Sequence, residues 1–382
     1  MFVKKIVPLQ AIKKYLVMLD SLYIQNFKCL KSLKVQSLGR VNLLIGQNNV
    51  GKSTILEAIS IYVSNMSADQ LFDILDLRGE TLSALSPDDK ILVEDEVKTF
   101  LPLVTNQSLS LLMKEGIIIG DSDQQLKLNV CYVRREKKPL GYAIKLLPLD
   151  SENVKDAELS LCLYEIKHSK QHFRQILFTF DGGGLIDNSV NGRAANIESP
   201  CSFISTRDKI SNISLNKAWS AISMKEEENY LLDALRIIEP NIMRFNMLSD
   251  GKENKPFVKI QGREGLIRLS SMGDGINKIL MIILTLLNCK NGTLLIDEME
   301  NGLHYTALFQ LWQMILRLAE VLNVQVFVTT HSSDCIRSFV KSDEKHIGKV
   351  IRLENRDGDI VPIVFDNQER LIFSIQQNID IR

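Results

Sequence analysis

The chain has 382 residues, 45% of them hydrophobic and 24% charged, with 46 basic residues balanced by 46 acidic ones. Those proportions are globular averages and indicate neither a disordered chain nor a membrane protein. With zero net charge there is no global basic field to draw in nucleic acid or anionic lipid, so any contact with DNA has to be local.

Residues 1–17, MFVKKIVPLQAIKKYLV, have lysines breaking up their apolar positions. They lack the uninterrupted core of a secretory signal, so a cytoplasmic location and no membrane partner are expected. Six cysteines are scattered without a CxxC pair, which favours buried free thiols in a reducing compartment. Next come SLYIQNFKCLKSLKVQSL and RVNLLIG, both with strand character. The second ends in Gly46, and KSTILEAISIYV from Lys52 has apolar residues at helical spacing. A glycine loop therefore joins a strand to a helix.

Residues from about 64 to 112 read as mostly helical with polar breaks. LKLNVCYVRR, GYAIKLLPL, ELSLCLYEI and FRQILFTF then read as antiparallel strands, the last closed by a turn at Asp181 to Gly184. Arg134, Arg135, Lys137 and Lys138 fall between the first two of these strands, as a basic turn. A helical stretch runs from Asn216 to Ile238, before Pro240. From Val258 the pattern becomes strand (VKIQG), loop (SSMGDG), apolar helix, buried strand (TLLIDE), helix and buried strand (VQVFVTTH), which implies a parallel sheet with helices on its faces. The longest apolar run, Ile279 to Cys289, is short of the ~20 residues that a spanning helix needs. A hairpin breaking at Asp357-Gly358 and a short helix from Gln368 close the chain.

Gly46-Gln47-Asn48-Asn49-Val50-Gly51-Lys52-Ser53 fits G-x4-G-K-[ST], a loop whose backbone N–H groups, continued by Thr54 in the first helical turn, face a polyphosphate. Lys52 would reach the β- and γ-phosphates, and the Ser53 hydroxyl would ligate Mg²⁺. Asp297 ends a buried strand where it can hold the same ion, and Glu298 beside it is placed to take a proton from attacking water. His331 ends the next buried strand, at the edge where ligands of open α/β sheets collect, and reads as a γ-phosphate sensor. His304 is open between a subunit contact and a local cap. Ser271, Gly273, Asp274 and Gly275 open the apolar helix and form a second anion-accepting N-terminus. One phosphate cluster does not need two such loops, so each site is expected to be completed by another copy of the chain.

These segments, in this order, resemble the ABC-type P-loop ATPases of the SMC, RecF and OLD kind. GQNNVGKST is similar to Walker A, LSSMGDG to the signature loop, LLIDE to Walker B, ENGLH to the D-loop and TTHSSD to the switch-histidine segment. The signature departs from the family pattern at Met272 and Asp274, and no Q-loop glutamine can be placed. The resemblance covers residues from about 19 to 63 and from about 258 to 340. It implies an α/β fold with a mostly parallel core sheet, an antiparallel β subdomain and a helical insertion. It also implies a division into an extension (1–17), a first core segment (18–66), an inserted region (67–254) and a second core segment (255–382). Lys28, after N-F in YIQNFKCLKSL, would approach nucleotide phosphates. ATP and Mg²⁺ are the implied cofactors and a head-to-tail homodimer the implied assembly. By the same analogy the chain would be the ATPase subunit of a bacterial antiphage system controlling a separate effector protein. A nucleotide-gated scaffold, or a DNA-repair ATPase acting on nucleic acid, stays open beside that reading.

Overall fold

Val41, Leu43 and Ile45 face one side of a strand and Asn42 and Leu44 the other, and every residue from Val41 to Gly46 is buried. A strand covered on both faces is the mark of a parallel sheet with layers above and below it. The computed structural model describes residues 18–80, 97–138, 141–147, 157–180, 185–187, 200–205, 212–223, 227–249 and 254–365. The extension 1–17, the turn at Asp181 to Gly184 and the helix expected from Gln368 lie outside the described residues.

In chain order, β1 (Leu22–Phe27) and β2 (Leu30–Val35) form a tight hairpin, and β3 (Val41–Gly46) leads through the glycine loop into α1 (Lys52–Val63). Then come α2 (Ala68–Leu77) and α3 (Leu109–Lys114), followed by β4 (Ile117–Gly120), β5 (Gln124–Lys138), β6 (Gly141–Leu147), β7 (Glu158–Lys167), β8 (Lys170–Phe180) and β9 (Leu185–Asp187). Past β10 (Cys201–Ile204) stand α4 (Asn212–Ile222), α5 (Glu227–Leu235), β11 (Ile242–Ser249), β12 (Asn254–Ile260) and β13 (Ile267–Arg268). The chain continues with α6 (Asp274–Asn288), β14 (Thr293–Ile296), α7 (Tyr305–Val321), β15 (Gln325–Thr329), α8 (Ser333–Ser342) and the hairpin of β16 (Gly348–Arg356) and β17 (Asp359–Phe365).

The core sheet has the order β10-β14-β15-β3-β16-β17. Its pairs are parallel except the terminal β16–β17 hairpin. A second, antiparallel sheet runs β2-β1-β4-β5-β7-β8-β9, with β6 paired to β5, and β11-β12-β13 form a third. This is the expected α/β architecture, a mostly parallel core sheet beside an antiparallel one.

The two faces of the core sheet carry different helices. Leu43, Ile45, Leu294, Ile296, Val326 and Val328 pack with α4 to α8. Leu44, Leu295, Phe327, Ile351 and Leu353 pack with α1, α2 and the antiparallel sheet. Helix α6 fits its side through Ile276, Ile279, Leu280, Ile283, Leu286 and Leu287, at helical spacing. Helix α1 has no polar face to spare, because it is sandwiched between two sheets and buries nearly its whole length from Lys52 to Ile61.

Four expectations need correction. VKIQG lies in β12 of the small antiparallel sheet rather than in the parallel one, since its alternating burial leaves one face open. The helix expected from Asn216 to Ile238 is two helices, α4 and α5. Arg134, Arg135, Lys137 and Lys138 are inside β5, paired along β6, rather than between strands. The cysteines are free, but Cys29 is exposed and Cys201 only partly buried. One core strand went unread: CSFI, β10, is too short and too polar-flanked to signal itself, yet it adds a parallel edge to β14 from within the region 67–254.

Candidate active site

Gly46 ends β3 with φ 146°, and a Cβ there would lie 2.7 Å from the Leu353 carbonyl oxygen of the neighbouring strand. Only glycine lets the chain leave the sheet that close to β16. Asn49 and Gly51 take left-handed conformations, φ 65° and 83°. Gly51 also packs on the β1–β2 turn, where an added Cβ would be 2.9 Å from Cys29 Sγ. It caps α1 without a side-chain hydrogen bond, so the N–H groups of the first turn are free to face an anion. Lys52 folds back over the loop and donates to the carbonyl oxygens of Gly46 and Gln47, both at 2.8 Å. Burial lowers its pKa, opposed by the negative charges of Glu298, Asp297 and Glu300. An incoming phosphate would replace the two carbonyls as partner of this ammonium.

Asp297 follows β14 and faces the loop. Ser53 Oγ donates to its carboxylate, 3.0 Å to Oδ1 and 2.9 Å to Oδ2. Adjacent oxygens on an Mg²⁺ octahedron are about 2.9 Å apart, the √2 multiple of its Mg–O distance, so this hydroxyl–carboxylate pair has the donor chemistry and spacing of one edge of such a shell. Among the described residues no cluster of three His, Cys, Asp or Glu could hold a metal alone, so phosphate oxygens and water would complete the shell. Thr329, fully buried at the end of β15, donates to Asp297 Oδ1 at 2.6 Å and accepts the Glu298 N–H at 2.8 Å. Glu298 is left-handed, φ 46°, and its Oε2 accepts from Asn301 Nδ2 at 2.6 Å. His331 Nδ1 stands 4.0 Å from Glu298 Oε1 and 3.3 Å from Glu300 Oε1.

Strands β14, β15 and β3 are neighbours, and that adjacency brings the loop Gly46–Thr54, Asp297, Glu298 and His331 to one edge of the sheet. The signature residues are elsewhere. Leu269–Met272 form one 3-10 turn in which Ser271 Oγ donates to the Arg268 carbonyl, and Gly273, φ 97°, caps α6 without a side-chain bond. Asp274 lies in the first turn, and Gly275 packs on the D-loop, where an added Cβ would be 3.2 Å from the Gly302 carbonyl oxygen. Helix α6 packs on the opposite face of the core sheet from α1.

Lys28 lies on the α1 side, but in this structure it is held by carboxylates, Glu57 at 3.2 Å and Glu80 at 3.5 Å. Glu57 also receives Arg78 at 2.6 Å. His304 makes a local contact at the start of α7, with Nδ1 2.9 Å from Thr306 Oγ1. Sequence reasoning missed Thr329, Glu300 and Asn301. Their only signal was proximity to Asp297-Glu298 and to His331.

A phosphate loop at the central strand, with acids ending the strand two places away in the sheet, defines a P-loop nucleoside-triphosphatase. Residues 18–191 and 196–336 match the AAA ATPase domain family, and the chain belongs to it. It is an ATPase with a P-loop on a mixed α/β fold. The ATP/GTP phosphatase of Helicobacter pylori (strain ATCC 700392 / 26695) is 24% identical over 391 residues, covering 93% of this chain and 100% of that protein. Among solved structures, an SMC head bound to the C-terminal winged-helix domain of ScpA is 13% identical, with a TM-score of 0.49 over 93% of this chain and 99% of that one. A Pyrococcus furiosus Smc head with an extended coiled coil, bound to the ScpA C-terminal domain, is 11% identical, with a TM-score of 0.47 over 95% and 99%. Among the described residues no helix is long and apolar enough to cross a membrane.

Proposed function

We propose that the chain hydrolyses ATP with Mg²⁺ at two composite sites formed when two copies close head to tail. The observation that carries this reading is the division of the phosphate-binding elements between the faces of the core sheet. Helix α1 presents its uncapped N-terminus from one face, and α6 presents Gly273 and Ser271 from the other. Both termini suit an anion, and a second copy turned head to tail would set its signature loop opposite the γ-phosphate held here. The ATP/GTP phosphatase relative supports release of a phosphate from a nucleoside triphosphate.

In this reading the loop Gly46–Thr54 wraps the phosphates, with Asn48, Asn49 and Val50 supplying backbone N–H groups and Lys52 neutralising charge. Ser53 and Asp297 would hold Mg²⁺, which when bound draws negative charge off the phosphate oxygens. Glu298 takes a proton from water as the water oxygen bonds to the γ-phosphorus and the bond to the β–γ bridging oxygen breaks. His331 senses the γ-phosphate. Lys28 would join the phosphates after leaving Glu57. The core segments 18–66 and 255–382 carry this chemistry, and 67–254 passes the closing motion outward as a population shift. In a cytoplasmic setting the receiver would be a separate effector protein, with antiphage defence the role that the family resemblance favours.

The test is a pair of variants. Lys52→Ala should abolish ATP binding in calorimetry, whereas Glu298→Gln should bind ATP and accumulate as a dimer in analytical ultracentrifugation with ATP and Mg²⁺. Unchanged turnover in Glu298→Gln overturns the base, and a strictly monomeric Glu298→Gln overturns the composite site.

A further inference from the structure

We propose that Glu300 positions His331 for hydrolysis, tying the loop after Asp297 to the strand end that carries the histidine. This rests on the assignment of His331 as the γ-phosphate sensor and adds a residue that the assignment did not require. Glu300 is the third acid of the run Asp297-Glu298-Met299-Glu300, and its side chain is only 11% exposed, against 37% for Glu298. Its Oε1 accepts the His331 backbone N–H at 2.9 Å and stands 3.3 Å from the ring Nδ1. One carboxylate thus holds both the main chain and the ring of the same residue.

The proton inventory of imidazole gives that grip a consequence. With Nδ1–H directed at Glu300, the opposite nitrogen, Nε2, is the one left for a phosphate oxygen. A neutral ring held this way presents Nε2 only as an acceptor, whereas a ring with a second proton donates from it.

Glu300 Oε2 is buried without a hydrogen-bond partner. A buried carboxylate oxygen without a donor costs free energy, so packing alone does not account for it. Oε1 faces both N–H groups of His331, which leaves Oε2 as acceptor capacity that the ring does not use in this structure. Glu300 also opens the turn closed by the Leu303 N–H to its carbonyl, at 2.9 Å. The Gly302 carbonyl in that turn abuts Gly275 of the signature helix. A contact made at the signature loop therefore has a continuous packed route to His331.

Steady-state ATP turnover of wild type, Glu300→Ala, Glu300→Gln, His331→Ala and the Glu300→Ala/His331→Ala double variant tests the proposal. Glu300→Ala should lower kcat about tenfold or more, the range typical of lost orienting partners, with ATP affinity changed by less than about twofold. Glu300→Gln keeps an acceptor for the amide and should recover part of the loss. In the His331→Ala background, removing Glu300 should cost nothing more, because a residue acting through another is silent once that other is gone. An equal fall in both backgrounds, or wild-type kcat in Glu300→Ala, overturns the proposal. A His331→Ala variant with wild-type turnover would instead sink the histidine's own assignment, and this inference with it. Should Glu300→Ala melt early, Glu300→Gln with and without His331→Ala supplies the same comparison.

Discussion

Thr329 shows how much of the site is set by one hydroxyl that touches no substrate. It donates to Asp297 Oδ1 and accepts the Glu298 N–H, so a single buried oxygen sets the direction of both acids. Valine has the same shape without that oxygen, and Thr329→Val would leave a carboxylate oxygen with one donor fewer and a backbone N–H unpaired. An unsatisfied buried partner costs about 1–3 kcal/mol, so urea unfolding should show a stability loss in that range. Turnover should fall as well, because Asp297 and Glu298 lose their common reference. Thr329→Ser keeps the oxygen and should return most of both. A Thr329→Val protein with wild-type stability and kcat would show that the hydroxyl orients neither acid.

At the level of elements, the approach of β3 to β16 at Gly46 is the tightest constraint around the loop. The φ of 146° is unfavourable for any L side chain, and a methyl group would lie 2.7 Å from a backbone oxygen that belongs to a sheet and has little room to retreat. Gly46→Ala should therefore destabilise the fold by more than ~1 kcal/mol. The melting temperature should drop by about 1 °C or more. Measured by thermal unfolding, an unchanged melting temperature would mean that the strands separate at that point without cost. Glycines at such positions were legible in the sequence because the motif fixes their spacing. The buried strands β3, β14 and β15 were legible too, each as a short apolar run ending in a chemically distinctive residue. Strand β10 was not, since four residues with a cysteine and a serine carry no period and its pairing depends on a β14 that lies ninety residues later. The split between α4 and α5 escaped for a related reason: both helices have apolar faces turned to α6, and one continuous period describes them equally well. Side-chain contacts such as Glu300 to His331 join positions thirty-one residues apart. They follow from strand order, which local periodicity does not contain.

For the whole molecule, the separation of α1 and α6 across the core sheet makes a sharper demand than dimerisation alone. If each site takes its phosphate loop from one copy and its signature from the other, two defects on different chains must complement each other. Lys52→Ala spoils the loop, and Ser271→Arg places a bulky cation on the exposed turn that would meet the partner's phosphate. Each variant alone should be inactive, since every site in it contains the defect. In a mixture, the site that joins the intact loop of the Ser271→Arg chain to the intact signature of the Lys52→Ala chain is free of both. Random pairing of equal amounts gives about half heterodimers with one good site in two, so about a quarter of wild-type turnover should return. The measurement is phosphate release against mixing ratio, with a maximum near equal amounts. Sites built within one chain would instead give a flat zero at every ratio, because no exchange of partners could separate a defect from the site that contains it.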